Sequence, residues 1–161
     1  MVSGGTSTRT IDVRMLLPLQ AVKLWPLIEN ALKHTLPSDN GSLKPANLNR
    51  FYEDMMNGQY QVWVGFDQQR PILMATTCVL DETGTDRRVL LLYTLTSVDG
   101  TPQEFFGQGL NVLRNYALSM KCSEIWAYSD DKAIVRLAKE LGANTDWVQI
   151  RFPLEARHEN E

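Results

Sequence analysis

Apolar and polar positions alternate from Thr10 to Leu17, with Ile11, Val13 and Met15 on one side and Asp12 and Arg14 on the other. A period of two predicts a half-buried strand. From Leu19 to Leu36 the period lengthens, and Leu24, Leu27, Ile28, Ala31 and Leu32 fall at helical spacing. Pro26 then belongs near a first turn or at a kink, because a proline inside a helix removes a hydrogen bond and clashes with the preceding turn. Pro37, Asn40 and Gly41 stop that helix. Lys44 to Asn57 predicts a second helix, with Leu48, Phe51, Tyr52 and Met55 on one face and Asn57-Gly58 as its stop. Gln61–Phe66 and Pro71–Leu80 read as a hairpin that turns at Asp67-Gln68-Gln69-Arg70. Pro71 suits a strand start, where its missing N–H does least harm.

After a polar loop from Asp81 to Asp86, Arg87 to Ser97 is the longest apolar strand. A helix follows from about Pro102 to Met120, with Phe106, Leu110, Leu113, Tyr116, Ala117 and Met120 facing inward. Ser123 to Ser129 predicts a strand, and Asp131 to Leu141 a helix that buries Ala133, Ile134, Leu137, Ala138 and Leu141. Ser129-Asp130-Asp131 suits the start of that helix and Gly142 its end. In a last strand Val148, Ile150, Phe152 and Leu154 alternate with Trp147, Gln149 and Arg151. Three successive strands imply an antiparallel meander, and the later strand–helix–strand units add parallel or mixed pairing. The expected fold is α+β, a central mixed, largely antiparallel sheet flanked by helices. It forms one domain over residues 10–154, between flexible ends at 1–9 and 155–161.

Composition narrows the function. The chain has 161 residues, 43% hydrophobic, enough for one domain with a real core. With Lys+Arg 16 against Asp+Glu 19, the net charge is −3, which argues against nucleic-acid and anionic-membrane partners. The longest apolar run, Val89 to Tyr93, is too short to span a bilayer, and the polar N-terminus has no signal-peptide core. Cys78 and Cys122 lie within regular elements without metal-ligand spacing; they read as buried, inert thiols of a reducing, cytoplasmic setting, and no metal site is expected. His34 and His158 have no visible nucleophile or metal partner.

The candidate chemistry lies between Val89 and Leu154. Gly107-Gln108-Gly109 stands where a helix begins after the long strand, a place where unpaired N–H groups can hold phosphate. Farther on, the run Ala133 to Ala143 ends a helix in Lys-Glu-Leu-Gly-Ala. These two motifs, and the element order across nearly the whole chain, resemble the GNAT-type N-acyltransferases, which bind acyl-CoA. That family carries Arg/Gln-x-x-Gly-x-Gly/Ala at the first place; here the window is Glu104-Phe105-Phe106-Gly107-Gln108-Gly109, with an anion in the first position.

The resemblance implies acetyl transfer from acetyl-CoA to an amine. CoA pyrophosphate would rest on the amides of Gly107, Gln108 and Gly109, and pantetheine would run along Leu95, Thr96 and Ser97. The tyrosine that commonly protonates the CoA thiolate in this family falls at Ala138, so Tyr128, Tyr93 and Glu124 are the remaining candidates for proton transfer. Met55-Met56 and Phe51-Tyr52 occupy the region that lids the substrate groove in such enzymes. The Trp126-Ala-Tyr strand, the helix without tyrosine and Gly142-Ala143 also resemble GNAT-related virion proteins of short-tailed phages, such as internal core proteins. That second likeness implies a catalytically inactive assembly part, with protein partners and a virion location. A homo-oligomer is compatible with either.

Overall fold

The computed structural model describes residues 9–35, 45–148, 150 and 152. Of the predicted flexible ends, 1–9 and 155–161, only Arg9 is among the described residues. The chain divides into two compact units, Met1–Ala127 and Tyr128–Glu161. In the first unit one sheet contains β1 (Asp12–Met15), β2 (Gln61–Asp67), β3 (Arg70–Asp81), β4 (Arg88–Ser97) and β5 (Glu124–Ala127), side by side in chain order. The first four strands pair antiparallel, and β5 runs parallel to β4. The mixed, largely antiparallel sheet expected from the element order is therefore the fold observed.

Helices cover both faces of the central strands, which is why those strands read as nearly continuous apolar runs. On one face lie α1 (Pro18–Lys23), α2 (Trp25–Thr35) and α3 (Pro45–Met56). Ile28, Leu32, Phe51 and Met55 pack there with Val62, Val64 and Met74. On the other face α4 (Gln103–Ser119) sets Leu113 and Ala117 against Trp63, Ala75 and Leu90. Phe105, in the first turn of α4, is fully buried and packs with Ile72 and Leu73.

The predicted helix from Leu19 to Leu36 is two helices. Leu24 caps α1, and Pro26 takes the second position of α2, where its missing N–H disturbs no helical hydrogen bond. The inward face of α4 also differs from the expected one. Phe105 takes the core position, and its neighbour Phe106 is partly buried.

Two local features set the sheet's edges. Gln68 and Gln69 both have positive φ, 48° and 68°, and make the two-residue turn between β2 and β3. A Cβ on Gly65 would come within 2.5 Å of Ile11 Cδ1 and 3.1 Å of Leu73 Cβ, so any other residue there would push the Ile11 side chain aside.

The second unit contains α5 (Lys132–Glu140). Asp131 caps it by accepting a hydrogen bond from Ala133 N at 2.8 Å. Gly142, at φ 92°, lets Ala143 N return to the carbonyl of Ala138 at 2.9 Å and close the helix. No strand forms among the described residues beyond Ala127. Trp147, Val148, Ile150 and Phe152, expected to alternate in a last strand, are exposed; Gln149, Arg151 and Leu154 lie outside the described residues.

Candidate active site

Strand β4 departs from regular pairing on both of its sides. Thr76 pairs with Thr94 and Thr77 with Leu92, so Tyr93 is left over as a bulge. On its other side β4 pairs with β5 only over Val89–Leu92, and β5 ends opposite Leu92 at Ala127. Among the described residues no strand pairs with residues 93–97 along that edge. Leu95, Thr96 and Ser97, the positions expected to meet pantetheine, lie on this open stretch. It offers peptide N–H and C=O groups to an extended ligand, as a sheet edge does.

Five residues, Val98 to Pro102, separate β4 from α4, with Pro102 at the helix cap. Gly107, Gln108 and Gly109 were expected at the junction of loop and helix. They lie inside α4, in its second turn, where the helical ladder turns amides toward carbonyls four residues back. Gln108 is also engaged by its side chain. Its Oε1 accepts from Ile11 N at 2.8 Å and its Nε2 donates to the carbonyl of Arg9 at 2.9 Å, so it holds the chain before β1 against the helix. Arg9 itself sits 5.6 Å from the centre of the Phe105 ring and pairs with Asp67 at 2.6 Å. Glu104 is the acidic residue of the first turn, where it complements the helix dipole. A Cβ on Gly109 would meet nothing within 4 Å, so the helix surface there is open.

Of the candidate proton carriers, Tyr93 and Glu124 belong to the first unit. Tyr93, at the bulge, is 42% exposed and stacks at 5.5 Å on Tyr60, which in turn meets Phe51 at 4.8 Å. Burial pushes the Tyr60 hydroxyl above its ordinary value, with Cys78 and Tyr93 adding to the effect, so Tyr60 stays a proton donor. Glu124 lies at the opposite end of the β4–β5 pairing, beside Val89. Its Oε2 accepts from Trp126 Nε1 at 2.6 Å and lies 3.8 Å from Arg87 Nη1. Tyr128 and Ala138 belong to the second unit, where Tyr128 is exposed.

One group that sequence reasoning set aside gains neighbours in three dimensions. His34, on the last turn of α2, lines a groove of about 310 Å³ together with Asn30, Thr96 and Ser97. Its Nδ1 lies 2.6 Å from the carbonyl oxygen of Asn30. No motif marks this pairing, because α2 and the end of β4 are far apart in the chain. Among the described residues no cluster of three or more His, Cys, Asp or Glu side chains is placed to hold a metal ion. Nor is any helix among them long and apolar enough to cross a membrane.

The antiparallel meander, the parallel fifth strand and the bulged, half-open β4 define the GNAT acetyltransferase fold. Solved structures share it. An aminoglycoside acetyltransferase, meta-AAC0020, from an uncultured soil metagenomic sample, in complex with trehalose, matches with a TM-score of 0.71 at 13% identity, over 90% of this chain and 97% of that one. AAC(6')-Iy in complex with the bisubstrate analog CoA-S-monomethyl-acetylneamine matches at 0.69 and 13%, over 91% and 99%. A predicted acetyltransferase with acetyl-CoA from Clostridium acetobutylicum matches at 0.64 and 15%, over 88% and 96%. At such identity the shared property is the fold. No protein-family model matches the sequence, and no curated protein matches it.

Proposed function

We propose that this chain is an acyl-CoA-dependent N-acyltransferase that transfers an acetyl group from acetyl-CoA to an amine. The observation that carries the reading is the open edge of β4 beyond the bulge at Tyr93, in a fold whose solved examples include a complex with acetyl-CoA. Leu95, Thr96 and Ser97 would hydrogen-bond pantetheine as an added strand does. The pyrophosphate would lie against the N-terminal turns of α4, where the helix dipole favours an anion and Gly107 and Gly109 carry no side chain to block approach. Glu104 opposes that charge, and Arg9 brings a cation to the same turn.

With Ala138 in place of the family's tyrosine, the departing thiolate takes its proton from solvent. A positioned proton donor contributes roughly 10²–10⁴-fold, so slow turnover is expected. The buried thiols of Cys78 and Cys122 suit a cytoplasmic enzyme.

Thermal unfolding with and without millimolar acetyl-CoA tests the reading. A ligand at about 100 times its Kd adds about 2.7 kcal/mol, which for a chain of this size raises Tm by roughly 5–10 °C. A cooperative melt with no shift refutes it.

One observation favours a second reading, a non-catalytic assembly protein such as a virion component. Trp147 and Phe152 are 88% and 83% exposed, an apolar display suited to a protein partner. An absent acetyl-CoA shift, together with a stable homo-oligomer that dissociates when Trp147 and Phe152 are replaced by Ser, would favour it.

A further inference from the structure

We propose that the groove between α2 and the end of β4 receives the acyl acceptor, and that His34 takes the proton its amine must lose. The inference rests on the acetyl-transfer reading above and deepens it. Thr96 and Ser97 belong both to the stretch assigned to pantetheine and to the wall of this groove, so the groove borders the proposed donor site. A volume of about 310 Å³ suits a small molecule.

The tautomer of His34 follows from its partner. A carbonyl oxygen only accepts, so the 2.6 Å contact with Asn30 places a proton on Nδ1, and in the neutral ring the lone pair is then on Nε2. A neutral imidazole held this way is a proton acceptor. The groove's other polar side chains, Asn30, Thr96 and Ser97, do not titrate in the working range, and no charged residue is among the described residues that line it. On α2 itself the charged pair Glu29 and Lys33 is closed on itself at 2.9 Å. In the reaction the amine nitrogen bonds to the thioester carbonyl carbon and the carbon–sulfur bond breaks. Nε2 of His34 accepts the nitrogen's proton and releases it to solvent, and solvent reprotonates the thiolate.

The lining also selects a substrate class. Leu27, Ile72 and Met74 supply apolar walls, and no carboxylate is among the described residues that line the groove. The acceptor that these walls suit is a primary amine on an apolar body.

Two measurements on the whole chain test this. The first is NMR of the imidazole nitrogens, simplified by there being only two histidines, with phenethylamine, leucinamide or spermidine added. The His34 signals should move with phenethylamine or leucinamide and stay in place with spermidine. The second is CoA-thiol release by wild type and H34Q across pH. H34Q should bind acetyl-CoA with the wild-type thermal shift, lose at least ~10²-fold in kcat/KM, and regain rate with added imidazole.

His34 signals unmoved by both apolar amines, a spermidine response, or a wild-type rate in H34Q would overturn the proposal while acetyl-CoA binding stands. A wild type that neither binds acetyl-CoA nor releases CoA fails the acetyl-transfer reading itself, and this inference with it.

Discussion

Gly109→Glu separates the proposed phosphate site from the stability of the helix that would carry it. A side chain at residue 109 has room, since its Cβ meets nothing within 4 Å. Glycine inside a helix is about 0.8–1.0 kcal/mol worse than alanine and glutamate is much nearer alanine, so the substitution should stabilise α4 by about 0.5 kcal/mol. That is roughly 1–2 °C in Tm for a chain of this size. Against a bound diphosphate the same carboxylate is unfavourable. At ~6 Å and an effective dielectric of about 20, two like charges repel by nearly 3 kcal/mol, enough to weaken binding by about 100-fold. The variant should therefore melt at or slightly above the wild-type temperature while losing most of the roughly 5–10 °C acetyl-CoA shift. Calorimetric titration with acetyl-CoA gives the affinity directly. A Gly109→Glu protein that keeps the full shift and the wild-type Kd refutes the placement of phosphate on these turns.

Two further predictions concern the sheet. Thr77 is fully buried, accepts from Trp63 Nε1 at 2.9 Å and donates to Gln61 Oε1 at 3.0 Å. Thr77→Val keeps the shape and strands the indole N–H, so denaturant melts should show a loss of about 1–3 kcal/mol; an unchanged midpoint would mean that the indole finds another partner. The hydrogen bond from Arg88 Nε, at 2.7 Å, holds the Asp81 carboxyl below its ordinary 3.8. A folded-state value lowered in this way gives stability that is present above the unfolded value and is lost as pH falls through the folded one. The Tm difference between wild type and Asp81→Asn should therefore be constant above about pH 5 and close toward pH 2. A difference that persists at low pH would assign it to something other than this charge. The Arg88 and Asp81 side chains are 40% and 71% exposed, so solvent screens the pair and the effect is small.

What the sequence made legible follows from how local each signal is. β2, β3 and β4 were readable because their apolar runs are buried by helices on both faces, and the cap and closing turn of α5 because each is written within a few residues. Phe105 and Phe106 are different. Adjacent phenylalanines allow two helical registers of equal apolarity, and the choice of Phe105 is made by Ile72 and Leu73 across the sheet. The same holds for the last strand, whose alternation is plain from Val148 onward but which has no strand neighbour among the described residues.

The candidate site is the least local feature of all. The Tyr93 bulge exists only in the register of β4 against β3, and a sequence of ten mostly apolar residues does not announce which of them will be left over. The Gly-x-Gly motif was visible, but its place inside α4 depends on where Pro102 lets the helix begin. His34 shows the converse. Nothing in its own segment sets it apart from an ordinary helical histidine, and the groove forms only once the meander brings Thr96 and Ser97 beneath the last turn of α2. A motif is local, whereas a groove is assembled by topology from residues far apart in the chain, so a shared fold does not by itself decide activity.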